Sequence, residues 1–150
     1  MLEYKVCKPE VEQYIELRKR VGFFDLTYEQ AKRSLDNAII TETVYDGERL
    51  VGMGRLVGDG AVICYVQDMM VDPDYQGRNI GHRILSSLTE YAAGLVLPGT
   101  KMLLGLMSVS GTEGFYEKCG FIKRPSGRWG AGLTKVLDNG YAEHKGDNND

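Results

Sequence analysis

The chain has 150 residues, 43% of them hydrophobic and 26% charged, with a formal net charge of −3. That length suits one domain hiding about 70% of its unfolded surface, and the composition is ordinary for a globular protein. Lys and Arg are scattered, which argues against a nucleic-acid partner, and 3 Cys with 2 His are too few for a disulfide framework, a metal site or a Ser-His-Asp triad.

No stretch has the form of a signal peptide or reaches membrane-spanning length, so a soluble cytoplasmic protein with no membrane partner is expected. Leu2 to Val6 alternates as a strand. Pro9 opens a helix with Val11, Tyr14, Ile15 and Leu17 at helical spacing, closing near Gly22. The basic run Arg18-Lys19-Arg20 reads as a solvated helix end, favourable to the dipole. The linker Gly22-Phe23-Phe24-Asp25-Leu26 either packs its phenylalanines into the core or lines a substrate pocket. Thr27 caps a second helix, with Gln30 at the capping-box position and Ala31 and Leu35 inward.

From Ile39 the pattern changes to strand. Ile40 to Tyr45 and Arg49 to Val57 form a hairpin about Asp46-Gly47, and Asp59-Gly60 leads into a third strand ending near Val71. Pro73 stops it. A long amphipathic helix runs from Ile80 to about Leu97, and Lys101 to Met107 returns as a buried strand parallel to the previous one. A short helix spans Thr112 to Cys119, a strand starts at Phe121, and Leu133 to Leu137 is the last strand. Cys64 and Cys7 read as packed thiols. The domain is placed at residues 1–142, with Glu143 to Asp150 a polar, fraying tail.

The segment Tyr75-Gln76-Gly77-Arg78-Asn79-Ile80-Gly81 is a strand, tight turn and helix start. The first turn of a helix has N–H donors without partners and roughly half a positive charge, so it attracts phosphate. Gly77 and Gly81 lack side chains that would keep an anion off the backbone, and Asn79 tolerates left-handed geometry. An ordinary strand-to-helix turn is the competing reading.

This turn, followed after the next strand by Phe115-Tyr116-Glu117-Lys118-Cys119-Gly120-Phe121, resembles the GCN5-related N-acetyltransferase (GNAT) family, closely from Val62 to Ile122. Two departures stand out: Asn79 replaces a usual glycine, and Val109 an asparagine that helps hold the cofactor in many members. The resemblance implies an α/β fold of α+β type: one domain with a mixed, mostly antiparallel sheet flanked by helices and a splayed strand pair that binds the cofactor. It implies transfer of an acetyl group from acetyl-CoA to an amine. The texture from Gly105 to Pro125 resembles the branch of small bacterial enzymes acting on small amines. A homodimer through the C-terminal strands is a further family expectation.

On that resemblance Met69, Met70 and Val71 offer backbone groups to the pantetheine arm, and an N–H near Met70 steadies the thioester oxyanion. Gln76, Gly77, Arg78, Asn79, Ile80, Gly81 and His82 surround the pyrophosphate. Tyr116 faces the sulfur and donates to the departing thiolate. Asp68 is the first candidate for the base that deprotonates the amine, directly or through water, and Glu42 the second; a strand carboxylate bonded to a neighbouring loop is the competing reading of Asp68. Phe23, Phe24, Arg128 and Trp129 are candidates for the acceptor pocket. An acyl-CoA sensor without turnover is the rival function, and the absence of a second βαβ unit counts against a different nucleotide-binding fold.

Overall fold

The computed structural model describes residues 1–139, so the expected polar tail, with the end of the 1–142 domain, lies outside the described residues. The chain divides into two compact units, Met1–Ser108 and Val109–Asp150. The first holds a five-stranded sheet, ordered β1 (Leu2–Val6), β2 (Ile40–Asp46), β3 (Arg49–Gly58), β4 (Ile63–Val71) and β5 (Leu103–Gly105). The first four strands pair antiparallel in sequence order, and β5 joins β4 in parallel after the crossover helix α3 (Ile80–Leu95). This is the mixed, mostly antiparallel sheet flanked by helices that the sequence implies.

Helices α1 (Val11–Val21) and α2 (Tyr28–Asp36) cover one face. Tyr14, Leu17, Ala31 and Leu35 pack there on Leu50, Met53 and Met70. The capping box forms as expected, with Gln30 N donating to Thr27 Oγ1 at 3.1 Å and Thr27 N to Gln30 Oε1 at 3.4 Å. Gly22, at φ 84, ends α1 in left-handed geometry, and its N–H donates to the Lys19 carbonyl at 3.1 Å. On the other face α3 buries Ile80, Ile84, Leu85, Leu88 and Ala92, a stripe at i, i+4 spacing.

Two glycines in β3 allow that helix to lie close. A Cβ on Gly54 would stand 2.8 Å from Met69 Sδ and 2.9 Å from both Ile84 Cγ2 and Leu88 Cδ1, and one on Gly52 would meet Ile80 Cγ2 at 3.1 Å. Glycine weakens a strand, and here the loss is offset by close helix-on-sheet packing.

Several expectations are corrected. The hairpin turn is Gly47–Glu48, one residue later than expected, with Gly47 at φ 63. The strand expected over Lys101 to Met107 shrinks to the three residues of β5 at the edge of the sheet, and Leu103, expected buried, is 47% exposed. Cys7 lies past the end of β1 and is exposed, whereas Cys64 is buried.

The second unit contains α4 (Glu113–Lys118), within the expected helix, and then irregular chain. No strand begins at Phe121 or spans Leu133 to Leu137. A strand needs a ladder partner, and Leu133, Val136 and Leu137 are more than four-fifths exposed at 89%, 85% and 83%. Ser126 and Trp129 instead close a small turn by exchanging two backbone bonds of 2.9 Å, with Arg124 stacked on the indole. The segment on which the family expectation places a dimer is therefore irregular chain up to residue 139.

Candidate functional site

The expected cofactor residues of the first unit follow one another along β4 and the turn beyond it. β4 pairs with β5 only at Ile63 to Tyr65, so from Val66 onward that edge has no strand partner among the described residues. The opposite edge carries a bulge: Met53 faces Met70 and Arg55 faces Gln67, which leaves Gly54 opposite both Asp68 and Met69. Asp68 adopts φ 56 there, a left-handed conformation uncommon for any residue with a side chain. Met70 is buried against α1, and Met69 turns to the other face and meets Gly54.

After Val71 the chain makes a short 3-10 turn, Pro73–Tyr75, capped by Asp72. Asp72 is 1% exposed: one carboxylate oxygen accepts from Asp74 N at 2.9 Å, and the other meets Arg49 Nη2 and Arg20 Nε, each at 2.8 Å. Burial alone would raise its pKa. The Asp74 N–H, the Arg49 hydrogen bond and the charges of Arg20 and Arg49 outweigh burial and leave it lowered. Tyr75 donates to Asp46 Oδ2 at 2.5 Å, and both Arg49 and Arg78 stack on its ring. The turn is thus held from outside before the helix begins.

Gly77 (φ 79) and Asn79 (φ 65) then take left-handed geometry, and Asn79 supplies without glycine the backbone shape that opens α3. Nothing lies within 4 Å of where a Gly77 Cβ would be, so the backbone is open to a ligand. Arg83 N–H donates to the Asn79 carbonyl at 3.2 Å, closing the first turn of α3 behind the amides that precede it. Ile80 is buried and offers only its backbone, whereas Gln76, Arg78 and His82 are exposed. A diphosphate fits this arrangement: donors, dipole and one exposed guanidinium at an open turn.

Asp68 is bound on every side. Its Oδ1 accepts from Arg18 Nη1 at 2.8 Å; its Oδ2 accepts from Arg55 Nε at 3.0 Å, lies 2.9 Å from Arg55 Nη2, and accepts from the Tyr14 hydroxyl. The residue is 5% exposed. Burial first, then the charge and hydrogen bond of Asp68, raise the Tyr14 pKa and keep its phenol a donor. Glu42 is 4% exposed on the face under α3 and accepts from the Ser87 hydroxyl. Both oxygens of Asp68 are taken, while Glu42 is buried with one oxygen bonded to Ser87.

The basic run is corrected here, because only Lys19 of the three is exposed. Arg18 points inward with Tyr14, four residues before it on the same helix face, and its Nη2 and Nε donate to the Phe24 carbonyl at 3.0 and 3.3 Å. The rings of Phe23 and Phe24 lie 5.4 and 4.8 Å from its guanidinium carbon. Phe23 packs on the core, as the first reading of the linker has it, while Phe24 is 73% exposed. Sequence reasoning missed Tyr14, Arg18 and Arg55 as partners of Asp68. The available signal was an arginine in register with buried helix residues.

In the second unit Tyr116 is half-buried on α4, edge-on to Phe115 (5.0 Å between centroids) and Phe121 (6.0 Å). Burial, with a smaller contribution from Cys119, pushes its phenol above the usual value. Among the described residues no group of His, Cys, Asp or Glu could hold a metal ion, and no helix is long and apolar enough to cross a membrane.

Comparison with known proteins agrees with this fold. An uncharacterized N-acetyltransferase ycf52-like of Prochlorococcus marinus is 27% identical over 122 residues, 79% of this chain and 64% of the relative. GCN5-related N-acetyltransferase 2, chloroplastic, of Arabidopsis thaliana is 31% identical over 87 residues, 55% of this chain and 32% of the relative. The chain thus spans about two-thirds of the first relative and about one-third of the second. A crystal structure of a probable acetyltransferase of unknown function from meticillin-resistant Staphylococcus aureus is 29% identical, covers 91% of this chain and all (100%) of that one, and superposes with a TM-score of 0.82. A GNAT family acetyltransferase from Streptococcus pneumoniae shares the fold at TM-score 0.75 and 23% identity, over 93% of this chain and 100% of that one. The acetyltransferase (GNAT) domain profile matches residues 38–123, from the start of β2 through the turn and α3 to Lys123, and on that match the chain belongs to the GNAT family.

Proposed function

We propose that the chain is an acetyl-CoA-dependent N-acetyltransferase acting on a primary amine of a small molecule. The observation that carries this reading is the continuity of β4: an edge without a strand partner among the described residues from Val66 on runs directly into an anion-ready turn. In this reading Met69, Met70 and Val71 pair with the amides of the pantetheine arm as an added strand would. The amides of residues 76–82 and the Arg78 guanidinium hold the pyrophosphate. The N–H near Met70 steadies the carbonyl oxygen as charge develops on it.

The amine nitrogen attacks the thioester carbon, an N–C bond forms, the C–S bond breaks, and the sulfur leaves as thiolate while the nitrogen gives up its proton. Because Asp68 and Glu42 are engaged, we assign the first deprotonation to water, which leaves about 4–5 kcal/mol of ammonium preference to overcome at pH 7. Tyr116 hydrogen-bonds the departing thiolate. Full proton transfer from an ordinary phenol to a thiolate is uphill by about 2 kcal/mol, and a raised phenol pKa makes it more so. The free thiols Cys7, Cys64 and Cys119 suit a reducing cytoplasm.

The engaged carboxylates favour one second reading, an acyl-CoA sensor that does not turn over. Thiol release from acetyl-CoA across polyamines, aryl-alkylamines, amino sugars and peptide N-termini decides between them. We expect amine-dependent release that falls about a hundredfold in Tyr116→Phe with acetyl-CoA binding retained. Saturable acetyl-CoA binding without release for any amine would establish the sensor instead.

A further inference from the structure

We propose that Tyr14, Arg18, Arg55 and Asp68 form a positioning clamp for acetyl transfer: they hold the β4 bulge in the shape that aims the Met69 and Met70 amides, and Arg18 fixes the 22–27 linker to the same point. The proposal rests on the acetyltransferase reading above, since that reading gives those amides their task.

The bulge does not hold itself. Asp68 is at φ 56, a left-handed geometry that costs free energy for a residue with a Cβ and that the ion pairs around its carboxylate hold in place. Loss of the bulge would slip the end of β4 by one residue against β3 and exchange its two faces there, moving Met70 out of the α1 core and Met69 away from Gly54. The carboxylate is the handle by which the first unit prevents this. α1 grips it through Tyr14 and Arg18, and β3 grips it through Arg55.

Each arginine also carries a second attachment. Arg55 Nη1 donates to the Ser34 carbonyl of α2 at 3.0 Å, and Arg18 donates to the Phe24 carbonyl of the linker. One carboxylate therefore registers two helices, a strand and a loop. Phe24, exposed and stacked on Arg18, is the part of the network open to solvent, so movement of the linker displaces the guanidinium that pins the bulge. None of the four side chains needs to touch substrate for this, and they are positioning residues.

The test compares wild type with Tyr14→Phe, Arg18→Lys and Arg18→Met, using acetyl-CoA and the best acceptor of the amine panel. Tyr14→Phe keeps the ring in the core and removes one donor. We expect kcat per folded molecule to fall between about tenfold and a hundredfold, as for sub-ångström to ångström misplacement, with a smaller weakening of acetyl-CoA binding because the turn at residues 76–82 is untouched. Arg18→Lys should recover part of the loss seen in Arg18→Met.

On the free protein, 15N relaxation dispersion should be flat in wild type and show exchange at Gln67 to Met70 and at Phe24 in the variants, with Leu85 and Leu88 of α3 unchanged. Variants that keep wild-type kcat per folded molecule and flat dispersion at the bulge would overturn the clamp. A wild type that binds no acetyl-CoA would overturn the functional reading and, with it, the catalytic part of this one; the dispersion comparison would still decide whether the four residues hold the bulge.

Discussion

The turn at residues 72–83 and the bulge at residues 67–70 adjoin on one strand and differ in what makes them. The turn takes its backbone shape from local chemistry, a capping Asp72, Pro73, the left-handed Gly77 and Asn79, and a helix start, and Arg20, Arg49 and Asp46 brace it from outside. The bulge is built by distant partners, Tyr14 and Arg18 from α1 and Arg55 from β3. Their acids differ accordingly. Asp68 is paired with arginines whose side chains are 6% and 7% exposed, whereas the partners of Asp72 are 26% and 43% exposed and can turn to water if released. An acid paired with buried cations is a structural commitment; one paired with half-exposed cations is a local fastening.

The largest expected effect tests this directly. Asp68→Asn keeps a residue that tolerates left-handed backbone yet leaves two arginines buried without their counter-charge, and we expect a loss of about 3–5 kcal/mol in urea unfolding. Asp72→Asn should lose clearly less; equal losses would erase the distinction. Next comes Gly54→Ala, whose Cβ must displace Met69, Ile84 or Leu88. We expect it to cost about 1–3 kcal/mol, and a neutral result would show that α3 yields easily.

Asn79→Ala should cost about 1–2 kcal/mol, the usual left-handed penalty, and weaken acetyl-CoA binding in titration calorimetry. Asn79→Gly should bind at least as well as wild type.

The smallest effect is in pH. The Asp72 pKa is lowered on folding, so its contribution is fully present above the unfolded value of about 3.9 and is lost as pH falls through the folded value. The stability difference between wild type and Asp72→Asn should accordingly be constant from pH 5 to 7, as a choice of assay range about one unit above that value, and shrink below about pH 4. A difference that grows on acidification would reverse the assignment.

Particular residues show what sequence reading reached. The capping box of Thr27 and Gln30, the end of α1 at Gly22 and the left-handed Asn79 were all readable, because each is settled within four or five residues of itself. Arg18 and Arg20 were misread as solvated because their partners, Asp68 and Asp72, are separated from them by about fifty residues. Leu133 to Leu137 looked like a strand from its apolar content, and a strand exists only with a neighbour to complete its hydrogen bonds.

By itself, then, the sequence determined the turn, the helix caps, the order of strands and helices in the first unit, and the family resemblance those local features carry. Only the tertiary structure decided that the glycines of β3 serve close helix packing, that Asp68 is a locked counter-charge with no open oxygen for a base, and that Phe23 turns in while Phe24 turns out. The physical reason is range. Backbone geometry and capping are fixed by neighbours along the chain, while the pairing of a buried charge depends on which distant groups the fold brings within hydrogen-bonding distance.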